Sequence, residues 1–158
     1  MKKTTKSALT IALALVVAPL AYAASVHFKG GNPTFTDQGT TLNTCLSLSG
    51  LGNGDVTITI DTTGYEITTC TNAGGNAAPG QNKTPVSPTA QVTVPSSQIK
   101  NGNLSVCLAT TTPPTPTSTE AGCPNTNWTA SLDDVVFTSA KVTVTQGGKV
   151  VLSKTFTL

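Results

Sequence analysis

From residue 42 onward the chain alternates apolar and polar residues with a period of two, the pattern of strands that bury one face. DVTITID places Val56, Ile58 and Ile60 on one face and Thr57 and Thr59 on the other. TLNTCLSL aligns Leu42, Leu46 and Leu48, and NLSVCLA aligns Leu104, Val106 and Leu108. GYEITTC offers Tyr65 and Ile67 as a further inward pair, and QVTV offers Val92 and Val94. Gly, Asn or Pro bounds each run, and the β-branched residues inside suit a pleated, half-buried surface. No segment after residue 23 keeps a helical period, and PSSQIKNGN, 95–103, has room for one helical turn at most. Seven to nine short strands without helices predict an all-β fold, an antiparallel Ig-like β-sandwich.

The C-terminal stretch KVTVTQGGKVVLSKTFTL predicts a hairpin. A two-residue loop at Gly147–Gly148 would set Val144 opposite Val151 and mismatch the apolar faces. A three-residue loop, Gln146 to Gly148, sets Val144 opposite Val150 and Val142 opposite Leu152, the register that one-face burial demands. Val142, Val144, Val150, Leu152 and Phe156 are then expected in the core, with Leu158 on the same parity. Val135 and Phe137 lie on the opposite parity to Val142, which predicts a bulge or bend near Ser139.

Residues 1–23 read as a leader. MKKTTK is basic, ALTIALALVVAPL is apolar but short for a membrane span, and AYA ends at Ala23 with small residues where a signal peptidase cuts. Cleavage after Ala23 would leave one domain, 24–158, exported to the periplasm or beyond in a bacterium, with no later apolar run able to span a membrane. The leader also carries three of the nine lysines, so the remaining chain holds six lysines against seven carboxylates and no arginine. Without a basic stripe or a guanidinium fork, nucleic-acid binding is excluded. Six aromatic residues after the leader are too few for the two girdles of a membrane barrel.

Cys45, Cys70, Cys107 and Cys123 form an even set in an exported chain, so disulfides are expected rather than a zinc site. Cys45, Cys70 and Cys107 each fall on the parity opposite the apolar residues of their own run, which reads as outer-face staples. Of three possible connectivities the simplest is sequential, Cys45–Cys70 and Cys107–Cys123. That pairing would close ATTTPPTPTSTEAG, 109–122, into a stapled loop rather than a linker between domains, its prolines stiffening it.

The search for chemistry excludes more than it finds. His27 is the sole histidine and lies on the alternating segment SVHFK, read as a surface or strand-edge position. Neither a nucleophile elbow nor an H-E-x-x-H helix is present. Asp133 and Asp134 are neighbours, which on a strand point to opposite faces, and no Asp-rich calcium loop surrounds them. GLGNGD, 50–55, joins strand to strand, so Asn53–Gly54 marks a turn and not a phosphate cradle. Asn82, Asn103 and Asn127 head glycosylation sequons that a bacterial leader makes irrelevant. No catalytic, metal or cofactor site is expected. The candidate recognition positions lie on the two long loops: Asn76, Gln81 and Asn82 on the first, Thr115 and Trp128 on the second. Tyr65 and Phe35 are the other aromatic candidates for a sugar platform, although a lone tryptophan in a small sandwich is more often core.

Threonine is over-used, 28 of the 135 residues after the leader, mostly at outward strand positions. Such residues keep an uncharged face soluble, or form a flat hydroxyl surface for polysaccharide, ice or neighbouring subunits. SVHFKGG and the closing VVLSKTFTL resemble the layout of pilin-like Ig-fold subunits, but Thr157 stands where those carry a penultimate tyrosine and two bridges replace the usual one. CLSLSGLGNGDVTITI, GGNAAPGQN and GCPNTNW are similar to motifs of small exported bacterial disulfide-bonded β-sandwich proteins of unassigned function, a resemblance that covers most of the chain and implies no activity. The expected function is a non-enzymatic secreted structural or interaction module, a surface, matrix or filament subunit. Its expected partners are itself, other surface proteins or polysaccharide. The alternative is a soluble carbohydrate- or small-molecule-binding domain.

Overall fold

Two antiparallel sheets face each other in a computed structural model that describes residues 25–158; the expected leader and its cleavage site lie outside the described residues. The first sheet is built on β3, Leu42–Ser49. Along one edge of β3 run β1, His27–Phe28, and β2, Thr34–Asp37, and along the other runs β8, Leu104–Ala109. The second sheet is built on β4, Val56–Thr71, paired throughout with β9, Thr129–Gln146, which in turn pairs with β10, Lys149–Thr157. The other edge of β4 is covered in series by β7, Thr89–Val94, then β6, Pro85–Val86, then β5, Ala77–Pro79. A single 3₁₀ turn, Ser96–Gln98, fills the stretch expected to hold at most one helical turn.

The all-β sandwich is as expected, but the strands are not uniformly short. The segments DVTITID and GYEITTC are one strand of 16 residues, and β9 has 18. At about 3.3 Å per residue they run roughly 50 Å. The smaller sheet covers only the first half of β4 and the second half of β9. There Leu42, Leu46 and Leu48 of β3 pack on Val56, Ile58 and Ile60 of β4 and on Ala140, Val142 and Val144 of β9, all buried.

Because β4 never breaks, its even-numbered residues stay inward to the end. That corrects the second half of the pattern: Glu66, Thr68 and Cys70 are buried, and Ile67, expected inside, is 41 % exposed. The irregularity sits in β9 instead. Thr138 is passed over between Thr63↔Ser139 and Gly64↔Phe137, and Asp133 between Ile67↔Asp134 and Thr68↔Leu132. The first is the bulge expected near Ser139. It switches the buried parity from Val142 and Ala140 to Phe137 and Val135. Gly64 faces it, and a Cβ there would lie 2.5 Å from the Val136 carbonyl oxygen, so only glycine fits the close approach.

The terminal hairpin takes neither register weighed from sequence. Its loop is Gly147–Gly148, both with positive φ (58° and 75°), and Lys149 pairs with Gln146. A bulge at Val151 then restores the parity that a two-residue loop would spoil, setting Leu152 opposite Val144 and Phe156 opposite Ala140. Val142 and Val144 are core as expected; Leu152 and Phe156 are half-buried, while Val150 at 62 % and Leu158 lie exposed. The reason is position: β10 is an edge strand that overhangs the narrower sheet. Phe156 packs at the rim of the main core and meets Phe28 and Phe35, with ring centroids at 5.8 and 5.3 Å.

Both bridges join other partners than the sequential pairing. Cys45 is bonded to Cys107, and Cys70 to Cys123. Cys45 and Cys107 are direct cross-strand neighbours on the outer face of β3 and β8, with Cα atoms 4.0 Å apart. Sequence proximity misled because β3 and β8, 62 residues apart, are adjacent in space. Cys70 is fully buried and not an outer-face staple, because it belongs to the even-numbered face of β4.

Candidate functional site

Cys70 is where the long second loop is fastened. After β8 the chain crosses between sheets: the Thr110 N–H donates to the Leu42 carbonyl, and the Thr111 N–H to the Thr89 carbonyl. The loop then lies over the uncovered half of β4, clipped by Cys70–Cys123, with Ala121, Ala130 and the half-buried Trp128 forming a second small core. The loop 109–122, expected to be closed by Cys107–Cys123, is instead stapled to the opposite sheet at Cys70.

The first long loop packs against it. The Asn82 side chain donates to the Glu120 and Thr119 carbonyls and its backbone N–H to the Ala121 carbonyl, while the Thr84 hydroxyl donates to the Glu120 carbonyl. The Ser118 hydroxyl donates to the Trp128 carbonyl. Gly80 sits so close that a Cβ would lie 2.1 Å from Thr68 Oγ1 and 2.7 Å from the Ala121 carbonyl oxygen. Of the sequence candidates, the structure brings Gln81 and Asn82 together with Glu120 around one open surface depression. Asn82 and Trp128 are engaged in holding the loops. Asn76 closes a turn by donating its N–H to the Asn72 side chain, and Thr115 is exposed away from the other candidates' contacts.

Beneath this loop pair lies Glu66, only 2 % exposed, with Oε2 lacking any hydrogen-bond partner among the described residues; the Thr68 hydroxyl two residues on is likewise unpartnered. Burial raises the Glu66 pKa above its ordinary value, and the nearby Glu120 carboxylate raises it further. Glu120 itself is held below its ordinary value by bonds from the Thr117 N–H and hydroxyl. Sequence reading missed Glu66 because it took Tyr65 and Ile67 as the inward pair. The bulge at Asp133, which lets β9 follow an unbroken β4, leaves no mark in the apolar pattern.

The outer face of the second sheet is an ordered array of mostly hydroxyl side chains. Register places Thr93, Thr57, Thr145 and Val150 side by side across β7, β4, β9 and β10. The next row is Gln91, Thr59, Thr143 and Ser153, then Thr89, Asp61, Lys141 and Thr155, then Thr63, Ser139 and Thr157. Strand spacing sets neighbours about 4.8 Å apart across a row, and residues two apart along a strand repeat every ~6.6 Å. Some hydroxyls bond each other: Thr57 to Thr93 at 3.0 Å, Thr63 to Ser139 at 2.7 Å and to Thr138 at 3.1 Å. Past Thr63 the face turns more apolar at Tyr65, Val136 and Ile67, with the Lys83 ammonium 4.5 Å from the Tyr65 ring centre.

His27 lies on the exposed edge strand expected for it, its ring nitrogens meeting the Ser25 carbonyl and the Ser49 hydroxyl. Asp133 is the exposed bulge residue, accepting from Thr69 and Ser131, and Asp134 accepts the Val135 N–H. Among the described residues no three His, Cys, Asp or Glu side chains cluster as metal ligands, and no helix is long and apolar enough to cross a membrane. Comparison with protein-family models and with curated proteins gives no match.

Proposed function

We propose that this chain is an exported, non-enzymatic structural or interaction module whose working surface is the hydroxyl-lined outer face of the larger sheet. The observation that carries this reading is the register: four strands bring threonines, serines, one glutamine and the exposed Val150 into aligned rows, in which Asp61 and Lys141 are the only charged residues. An open sheet face of this chemistry matches a repeating partner, a neighbouring surface protein or a polysaccharide, better than a small molecule, which needs concavity. Two disulfides and the basic-apolar leader support export into an oxidising compartment. The bonding of His27 at an exposed edge supports a non-catalytic role.

The test is to replace Thr59 and Thr143, adjacent at the centre of the face, by lysine. Binding of the labelled protein to cell-surface material of the source bacterium and to insoluble polysaccharides is then compared with wild type. Retention should fall at least tenfold while both bridges and the melting profile are kept. Unchanged retention would sink the assignment of this face. Loss on changing Gln81 and Lys83 instead would favour the alternative, a carbohydrate site at the loops.

A further inference from the structure

The smaller sheet ends in a strand edge that is unlike the others. Thr110 N–H bonds the Leu42 carbonyl, so even-numbered residues of β8 turn their backbone groups toward β3. The N–H and C=O groups of Ser105, Cys107 and Ala109 therefore point away from the sheet, and among the described residues none has a backbone or side-chain partner. The edge carries no charge, no proline and no bulge, and its inward residues, Val106 among them, are only half-buried. The opposite sheet's long edge is guarded in three ways. β10 has a bulge at Val151, a lysine at 149, and Lys154 on the inward parity, held out to the Asn32 side chain. Bulges and inward lysines are the devices that block pairing of strand edges. β7, the remaining long edge, is bracketed by Pro88 and Pro95.

We infer that the open edge of β8 pairs antiparallel with β8 of a second copy, across a two-fold axis beside Cys107. The occupant must be an uncharged strand whose apolar residues alternate to one side, and β8 is itself such a strand. With the axis at Cys107, Ser105 lies opposite Ala109 of the second copy and Cys107 opposite Cys107, so every free donor and acceptor of the three residues is used. The same register sets Val106 opposite Leu108 and covers both. The outward side chains at the seam are small, so nothing obstructs the approach. Pairing about a two-fold closes on itself, giving a dimer and not a fibre. The surface is distinct from the hydroxyl face and does not depend on its role.

Sedimentation equilibrium of the oxidised protein tests this together with amide hydrogen exchange at low and high concentration. The expected result is a concentration-dependent dimer in which the Ser105, Cys107 and Ala109 amides gain protection with the dimer fraction and the Gln91 and Thr93 amides of β7 do not. Ser105→Pro and Ala109→Pro remove N–H groups that β3 does not use, so they should leave a folded, bridged monomer. Ser153→Pro in β10 should leave the dimer intact. A wild-type monomer at the solubility limit, an open-ended polymer, or a dimer whose β8 amides exchange freely each overturns the proposal. Should the proline variants fail to fold, the exchange measurement on the wild type decides alone.

Discussion

Glu66 is the residue at greatest odds with its surroundings. A buried carboxyl with one oxygen left without a hydrogen bond favours its neutral form, because nothing replaces the hydration that oxygen has lost. Its pKa is raised in the fold, by burial first and by Glu120 second. The folded state then holds this proton at pH values where the unfolded chain has released it. The stabilising contribution is fully present below the ordinary value of 4.5 and is lost as pH rises through the raised folded value. Glu120 shifts the opposite way, but it is exposed and its effect is common to both proteins in a comparison. Urea midpoints measured from pH 4.5 to neutrality should fall more for the wild type than for Glu66→Gln. Parallel profiles for the two proteins would show that Glu66 finds a partner in solution.

At the scale of elements, what was legible followed from periodicity, and what was not followed from single residues that change it. The inward runs of β3 and the first half of β4 are as read, because one uninterrupted parity defines each face. The bulge near Ser139 was also readable, since Val135, Phe137 and Val142 cannot share a face without it. The bulge at Val151 was hidden because Val150, Val151 and Leu152 are all apolar, and either residue could be the extra one. The extent of β4 was hidden by Gly64, which reads as a boundary in sequence but in the fold only makes room for the Val136 carbonyl. The hydroxyl rows were half legible: threonine excess indicated an outward face, while which threonines adjoin needed the cross-strand register. The overhanging hairpin gives a graded expectation. Phe156→Ala removes a ring that is only half-buried at the rim of the core, beside Phe28 and Phe35, so it should cost about 2 kcal/mol, below the roughly 3–5 kcal/mol typical of a fully buried phenylalanine. Val150→Ala on the exposed face should cost less than about 0.5 kcal/mol. Chemical denaturation of the two variants compares them, and equal losses would mean that β10 packs differently.

For the whole molecule, the two disulfides divide the work between two ends. Cys45–Cys107 ties β3 to β8 where the strands already pair along six residues of each. Cys70–Cys123 instead joins the half of the β4–β9 ribbon that the smaller sheet does not cover to a loop that has no ladder of its own there. The covalent loops are of similar length, 62 and 53 residues apart, so chain-entropy stabilisation should be nearly equal, about 4 kcal/mol for either. The consequences of removal should differ all the same. Without Cys45–Cys107, the β3–β8 backbone bonds and the main core beneath Leu46 persist, and the protein should melt earlier but cooperatively. Without Cys70–Cys123, the cover over Glu66, Thr68 and Ala130 depends on non-covalent contacts, those of Asn82 and Thr84 with the second loop and the small cluster around Ala121. Loosening that cover lets water reach a buried carboxyl that prefers to be charged when hydrated, so release of the loop is self-reinforcing. Limited proteolysis of the paired variants Cys45→Ala/Cys107→Ala and Cys70→Ala/Cys123→Ala distinguishes the two. Cleavage within 109–128 should appear under native conditions only in the second, with the main core still folded by circular dichroism. Early cleavage there in the first variant would instead mean that the crossing at Thr110 and Thr111, and not the clip at Cys70, holds the loop in place.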